Sequence, residues 1–194
     1  MENLVYAIVL LPLIGFVING LFGKRLPKAL VGGLATLVVF AAFLISVSIF
    51  IGFPADGTPV IVKAFEWFTI GGIQVNFGFQ IDQLSLMMMM IVTGIGSLIH
   101  LYSIGYMSHD KGFYKFFSYL NLFIFSMLLL VMGSNYLILF IGWEGVGVCS
   151  YLLIGFWYNN KEYGKAARKA FIMNRIGDLG LLMGIFMIAL HTNS

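Results

Sequence analysis

The sequence predicts an all-α polytopic membrane protein: six transmembrane helices with a short extracytoplasmic β-hairpin between the second and third. Three observations carry this expectation. Of 194 residues, 60% are hydrophobic and only 10% charged, a balance foreign to a soluble domain of this size. Apolar stretches long enough to span a bilayer, about 18 residues or more, recur near 4–22, 30–52, 84–106, 115–132, 136–158 and 168–190. Between residues 53 and 82 the pattern changes to a loop and two alternating segments around Gly71-Gly72, the signature of a hairpin.

The first span follows Glu2 with no preceding Lys or Arg and lacks a small-residue cleavage site, so it reads as a retained span and not a signal peptide. Pro12 and Gly15 within it are tolerable where neighbouring helices satisfy the freed backbone groups. It ends at Lys24, Arg25 and Lys28. The second span carries no acid or base, and its Ser46 and Ser48 can hydrogen-bond locally or to a neighbour. It is scaffold.

Pro54, Gly57 and Pro59 open the outer-face loop, and segments 65–70 and 73–79 alternate. Ile73, Val75, Phe77 and Phe79 would share one face of the hairpin, with Gln74, Asn76 and Gln80 on the other. An irregular loop is the alternative. Asp82 heads the third span as an N-cap, before Leu84 and Ser85. Met87 to Met90 form a soft packing surface, and without nearby His or Cys they make no metal site. His100 reads as a hydrogen-bonded structural imidazole, with a ligand or proton-relay role as the alternative. His109 and His191 fall at a loop and a terminus, so no paired intramembrane histidines can hold a haem. The single Cys149 builds neither a disulfide framework nor an iron–sulfur cluster.

Loop charge sets the orientation. The first, third and fifth loops sum to +3, +1 and +3, the second and fourth to −2 and 0. By the positive-inside rule the N-terminus is outside and the odd loops inside. This distribution accounts for the net charge of +3 through topology, leaving nucleic-acid binding without support. The uncharged turn Gly133-Ser134-Asn135 makes the fourth and fifth spans antiparallel neighbours. Gly180 and Gly184 form a small-xxx-small pair, a weak packing signal.

Two acids lie within the oily segments: Glu144, flanked by Gly142, Gly145 and Gly147 in the fifth span, and Asp178 in the sixth, with Asn174 and Arg175 one turn before it. A carboxylate at bilayer depth costs about 2.5–3.5 kcal/mol on insertion scales, so its default reading is functional. Glu144 lies roughly 12 Å along the helix from Tyr136, and Asp178 roughly 15 Å above Arg168, both near mid-membrane. Arg168, Phe171, Asn174, Arg175 and Asp178 share one helical stripe leading from the inner face. Burial disfavours a charged carboxylate and an approaching cation favours it, so moving a lysine or arginine toward Glu144 would release its proton. Arg175 is placed to modulate in this way. The alternative is static: Asp178 and Arg175 as a buried pair holding two helices in register. No nucleophile with a base and no nucleotide loop supports hydrolysis or redox catalysis.

The runs 77–85 (FGFQIDQLS), 100–107 (HLYSIGYM), 139–147 (LFIGWEGVG), 150–157 (SYLLIGFW) and 169–178 (KAFIMNRIGD) resemble the largest antiporter-like subunit of respiratory complex I, the L subunit (NuoL type) of NADH:quinone oxidoreductase. Antiporter-like subunits of multi-subunit sodium/proton antiporters share the glutamate pattern. The resemblance implies a proton-translocating, non-redox membrane-arm subunit, a translocase that couples electron transfer from NADH to quinone to proton pumping. Glu144 and Asp178 would serve proton translocation, with Arg175 and Asn174 in support. In that family the matching glutamate pairs with a lysine on a following helix, and the matching aspartate tunes the pair. No cofactor is expected in this chain; NADH, FMN, iron–sulfur clusters and quinone belong to partner subunits. The implied partners are other membrane-arm subunits, the lipid bilayer and protons, in an energy-coupling membrane of the bacterial inner-membrane type. The hairpin would join the outer face of the arm. Residues 1–114 form an N-terminal three-helix scaffold with the loop and hairpin at 53–82, and 115–194 start the antiporter-like channel bundle. Because the family's chains are several times longer, with a second inverted bundle and further buried lysines, the sequence is expected to be one piece of the subunit. A sodium/proton antiporter subunit, or a structural or assembly membrane protein with static ion pairs, stands as the alternative.

Overall fold

The computed structural model describes residues 2–54, 57–70 and 73–192. Six helices and one hairpin follow in the order α1 (Glu2–Phe22), α2 (Lys28–Ile51), β1 (Val60–Ile70), β2 (Ile73–Ile81), α3 (Gln83–Tyr106), α4 (Phe113–Met132), α5 (Tyr136–Ile154) and α6 (Lys161–Thr192). Among the described residues, six helices are long and apolar enough to cross a membrane, and the chain is a multi-pass membrane protein.

α1 packs against α2 and α4, α3 against α2 and α4, and α2 touches α4 between them. α5 then leans on α4, and α6 on α5. The shared core is built by Val5, Ile8, Val38, Val39, Met89, Leu128 and Met132, a mixture of branched side chains and two flexible methionines that fill what they leave. Ser46 and Ser48 do bond locally, their hydroxyls donating to the carbonyls of Ala42 and Leu44 at 2.9 Å.

Two helix ends depart from the apolar runs. α5 stops at Ile154 and not near 158, because Gly155 closes it, its N–H donating to Tyr151 O at 3.0 Å. α6 begins seven residues before the apolar run does, at Lys161. Asn160 Oδ1 accepts from Glu162 N at 3.0 Å there, which satisfies one of the open donors of the first turn. At roughly 1.5 Å per residue α6 is longer than the hydrocarbon is thick, so its basic first turns reach the interface.

The hairpin is longer than its alternating core, since β1 starts at Val60 and β2 runs to Ile81. Its antiparallel register shifts between Lys63 and Phe65 and between Glu66 and Phe68, extra residues that bend and twist the ribbon. The Gly71-Gly72 turn lies outside the described residues. Phe79 is buried and Gln74 exposed, as the expected faces require, whereas Val75 and Phe77 on one face and Asn76 and Gln80 on the other are all half-buried. The ribbon is fastened to the α4–α5 turn: Ser134 N donates to Gly78 O at 3.2 Å, and Asn135 Nδ2 to Asn76 O at 2.8 Å. Asn135 also caps α5 through Oδ1, which accepts from Leu137 N and Ile138 N at 3.1 and 3.0 Å. One side chain thus starts the helix that carries Glu144 and ties it to the outer ribbon.

Asp82 caps α3 as expected, in a reciprocal box: Ser85 N donates to its carboxylate and Asp82 N to Ser85 Oγ, both at 2.7 Å. The Ser85 backbone bond is the main reason its carboxyl is held below the ordinary carboxylate range, against the opposing effect of burial.

Candidate ion-pair site between the fifth and sixth helices

α5 approaches α4 closely because its glycines allow it. A methyl group at Gly142 would strike the backbone of Leu130, and one at Gly145 would come within 2.5 Å of Ser126 Oγ. Glu144 lies between these two contacts, so the α4 seam fixes the side of α5 from which its carboxylate leaves. Gly147 is different. A Cβ there would meet only Arg175 Nη2, at 3.9 Å, so this glycine faces the cation.

Arg175, one helix further on, joins the two acids. Its Nη1 contacts Glu144 Oε2 directly and stands 3.4 Å from Asp178 Oδ2. Asp178 is anchored from the other side by the indole of Trp143, whose Nε1 donates to Oδ1 at 2.7 Å. The guanidinium lies over the Phe171 ring, 4.5 Å from its centroid, a favourable seat for a cation. Side-chain exposure grades across the site: 7% for Asp178, 26% for Glu144 and 31% for Arg175. With both acids ionised, two negative charges share one positive charge, an imbalance that low dielectric penalises.

The predicted stripe is only partly drawn together. Phe171, Arg175 and Asp178 turn toward α5. Asn174 is exposed, at the edge of the stripe away from α5. Arg168 is also exposed, its Nε donating to Gly164 O at 3.4 Å. Two features escaped the sequence. The first is the direct pairing of Glu144 with Arg175: the sequence places Arg175 one turn from Asp178 as a modulator of the acids, but spacing does not show it in contact with Glu144. The second is Trp143, whose indole N–H in a membrane span demands an acceptor, a signal that was available.

On the side the loop charges assign to the interior, a cavity of about 730 Å³ opens between the α3–α4 and α5–α6 connections, with Asp110, Lys115, Tyr151 and Trp157 among its walls. Trp157 Nε1 donates to Asp110 Oδ2 at 2.8 Å and Lys28 Nζ to the carbonyls of Ser108 and Asp110 at 2.7 and 3.1 Å. The Trp157 bond above all, then Gly112 N and the Lys28 charge, hold the Asp110 carboxyl below its ordinary range. Tyr151 in the cavity wall packs on Phe171 at 5.3 Å between ring centroids. Two aromatic rings therefore separate the cavity from Arg175.

The chain that folds this way, with an acid–arginine–acid cluster between neighbouring spans, matches family models of antiporter-like membrane subunits. The family described as NADH:quinone oxidoreductase/Mrp antiporter, TM, matches residues 133–194, and that described as NADH-Ubiquinone oxidoreductase (complex I), chain 5 N-terminus, matches residues 67–117. Within that class the chain belongs to the subunit L, or chain 5, family of NADH:quinone oxidoreductase. It is 48% identical over 195 residues to NADH-quinone oxidoreductase subunit L of Campylobacter jejuni, covering 100% of this chain and 31% of that protein. To the subunit L of Rickettsia typhi it is 45% identical over 193 residues, with 100% and 30% covered. A chain of the Mrp complex from Dietzia sp. shares the fold, with a TM-score of 0.81 at 23% identity, over 99% of this chain and 20% of that one. The chain thus spans about 30% of the length of the subunit L relatives it matches.

Proposed function

We propose that this chain belongs to a proton-translocating, non-redox membrane-arm subunit of NADH:quinone oxidoreductase, with Glu144 holding the proton and Arg175 setting its charge. The observation that carries the reading is one guanidinium in reach of two carboxylates. While Arg175 faces Glu144, that acid is stable as a carboxylate. When Arg175 shifts to Asp178 alone, Glu144 keeps its charge without a partner in a poorly solvated place, and taking up a proton removes that cost. Trp143 holds Asp178 in position to compete. Against a potential of 100 mV each proton moved needs about 2.3 kcal/mol, which the loss of one ion pair in low dielectric can supply. The inner cavity offers an access path from the inner surface, closed at its deep end by Tyr151 and Phe171. Asn174, exposed on α6, would act only through groups beyond this cluster.

In the same proposal residues 115–194 carry the ion chemistry, residues 1–114 the scaffold and hairpin, the N-terminus is outside, and the membrane is of the bacterial inner type. NADH, FMN, iron–sulfur clusters and quinone reside in partner subunits. In the complete complex, Glu144→Gln is expected to leave assembly and NADH oxidation by detergent-solubilised enzyme within about twofold of wild type while proton transfer in liposomes falls at least tenfold, about 1.4 kcal/mol or more. Normal pumping would leave the cluster as a static helix clamp. The shared fold of the Mrp complex favours a second reading, a sodium/proton antiporter subunit. Co-purification of NADH dehydrogenase subunits with the chain separates the two.

A further inference from the structure

The bundle α1–α4 encloses a second polar cluster, apart from the ion pair on α5 and α6. Asn19 on α1, His100 on α3 and Asn121 on α4 are 0%, 1% and 0% exposed. Each gives a hydrogen to a backbone carbonyl: Asn19 Nδ2 to Val31 O at 3.4 Å, His100 Nδ1 to Gly96 O at 2.7 Å, and Asn121 Nδ2 to Phe117 O at 3.0 Å. A carbonyl only accepts, so Nδ1 of a neutral His100 carries the hydrogen and Nε2 presents a lone pair. The same logic turns both amide oxygens the other way.

What remains is His100 Nε2, Asn19 Oδ1 and Asn121 Oδ1, none with a hydrogen-bond partner among the described residues. All three are acceptors, so none can satisfy another. All three stand in the inner half of the bundle, Asn19 about one turn nearer the inner end than His100 and Asn121. The Asn121 amide oxygen lies 3.0 Å from where a Cβ of Gly15 would stand, one turn from Asn19 on α1. The His100 ring packs 6.1 Å from that of Phe117, whose carbonyl takes the Asn121 amide hydrogen. By helical rise, His100 and Asn121 lie roughly 9 and 12 Å from the inner ends of α3 and α4, at nearly one depth.

A guest that satisfies three acceptors must donate. It must also be neutral, because the buried residues of α1–α4 include no Asp, Glu, Lys or Arg to balance a cation. Water meets both demands, with two hydrogens to give and a habit of making about three bonds when buried. We propose that His100 Nε2 and Asn121 Oδ1, with Asn19 Oδ1 about one turn nearer the inner end, form an internal water-binding site in the inner half of the α1–α4 bundle. Its place in the bundle is independent of any role for Glu144, and it stands or falls separately from the transport reading.

A density map of the complete assembly at a resolution that shows ordered solvent tests it. The expected result is a peak at about 2.7–3.2 Å from both His100 Nε2 and Asn121 Oδ1. A direct His100–Asn121 bond, no peak between the unmoved side chains, or a peak ringed by close oxygens as for a metal cation would overturn it. Variants give a second measurement. If one water serves both acceptors, His100→Leu and Asn121→Leu together lower the melting temperature of the assembly by clearly less than the sum of the single shifts. Strictly additive shifts would mean that the two acceptors hold no common guest.

Discussion

Arg175 illustrates how one residue can be visible in a sequence while its partner is not. The spacing of three between Arg175 and Asp178 places them on one helix face, and the 3.4 Å approach follows from it. The contact with Glu144 depends instead on how far α6 is rotated and slid against α5, which the glycines of α5 decide and spacing does not encode. Trp143 is the neighbour that makes Asp178 a fixed point. Replacing it with phenylalanine is expected to leave the Asp178 carboxylate short of one charge-assisted bond, a loss of about 1.5–3 kcal/mol, read as a lower melting temperature of the complex. At the cap of α3, Asp82→Ala should cost about 1 kcal/mol. The sign of its pH dependence is fixed: the carboxyl is held below its ordinary value, so its contribution is present at neutral pH. That contribution fades as pH falls from about 3.9 through the lower folded value. The wild type and Asp82→Ala unfolding curves should converge at acid pH and separate above it.

Elements were legible where composition alone defines them. All six spans and the hairpin exist because long apolar runs and an alternating run leave few other solutions. Their ends were less legible. Gly155 and Asn160 set where α5 stops and α6 begins, and both are cap signals that a count of apolar residues passes over. The α4–α5 seam makes the sharpest contrast among the glycines of α5. Gly142→Ala puts a methyl group into the Leu130 backbone, which cannot move aside as a side chain could, whereas the added methyl in Gly147→Ala meets Arg175 at an ordinary distance of 3.9 Å. The first substitution is expected to destabilise the assembly by about 1–3 kcal/mol, and the second to be near neutral, as thermal unfolding of the two variants would show. Asn135→Ala removes both the α5 cap and the tie to Asn76, and is expected to raise hydrogen exchange in residues 74–81 without altering the α1–α3 amides.

Across the whole molecule the packing is uneven. α1 to α4 share a common core, while α6 packs chiefly on α5 and shows Ile172, Ile176, Leu179 and Phe186 at half exposure or more. A Cβ added at Gly180 or Gly184 would meet nothing within 4 Å beyond the neighbouring backbone of its own helix among the described residues, so no described helix packs on this pair. The charged cluster stands at the edge of this packed body, on the side where α5 and α6 alone hold it. That placement suits the proposed movement of Arg175, since an arginine wedged between four helices could not change partners. It also explains why charge counting reached the site before packing did: two acids among so few charged residues stand out in a sequence, whereas the seam that orients them emerges only when helices meet.

Infrared absorption of protonated carboxyl groups in the complete assembly at neutral pH, comparing Arg175→Gln with the Arg175→Gln, Glu144→Gln pair, tests the switch directly. The account predicts a carboxylic-acid band in the first that is missing from the second, because Glu144 takes up a proton once its cation is gone. Identical spectra, with Glu144 still ionised in the absence of Arg175, would contradict it.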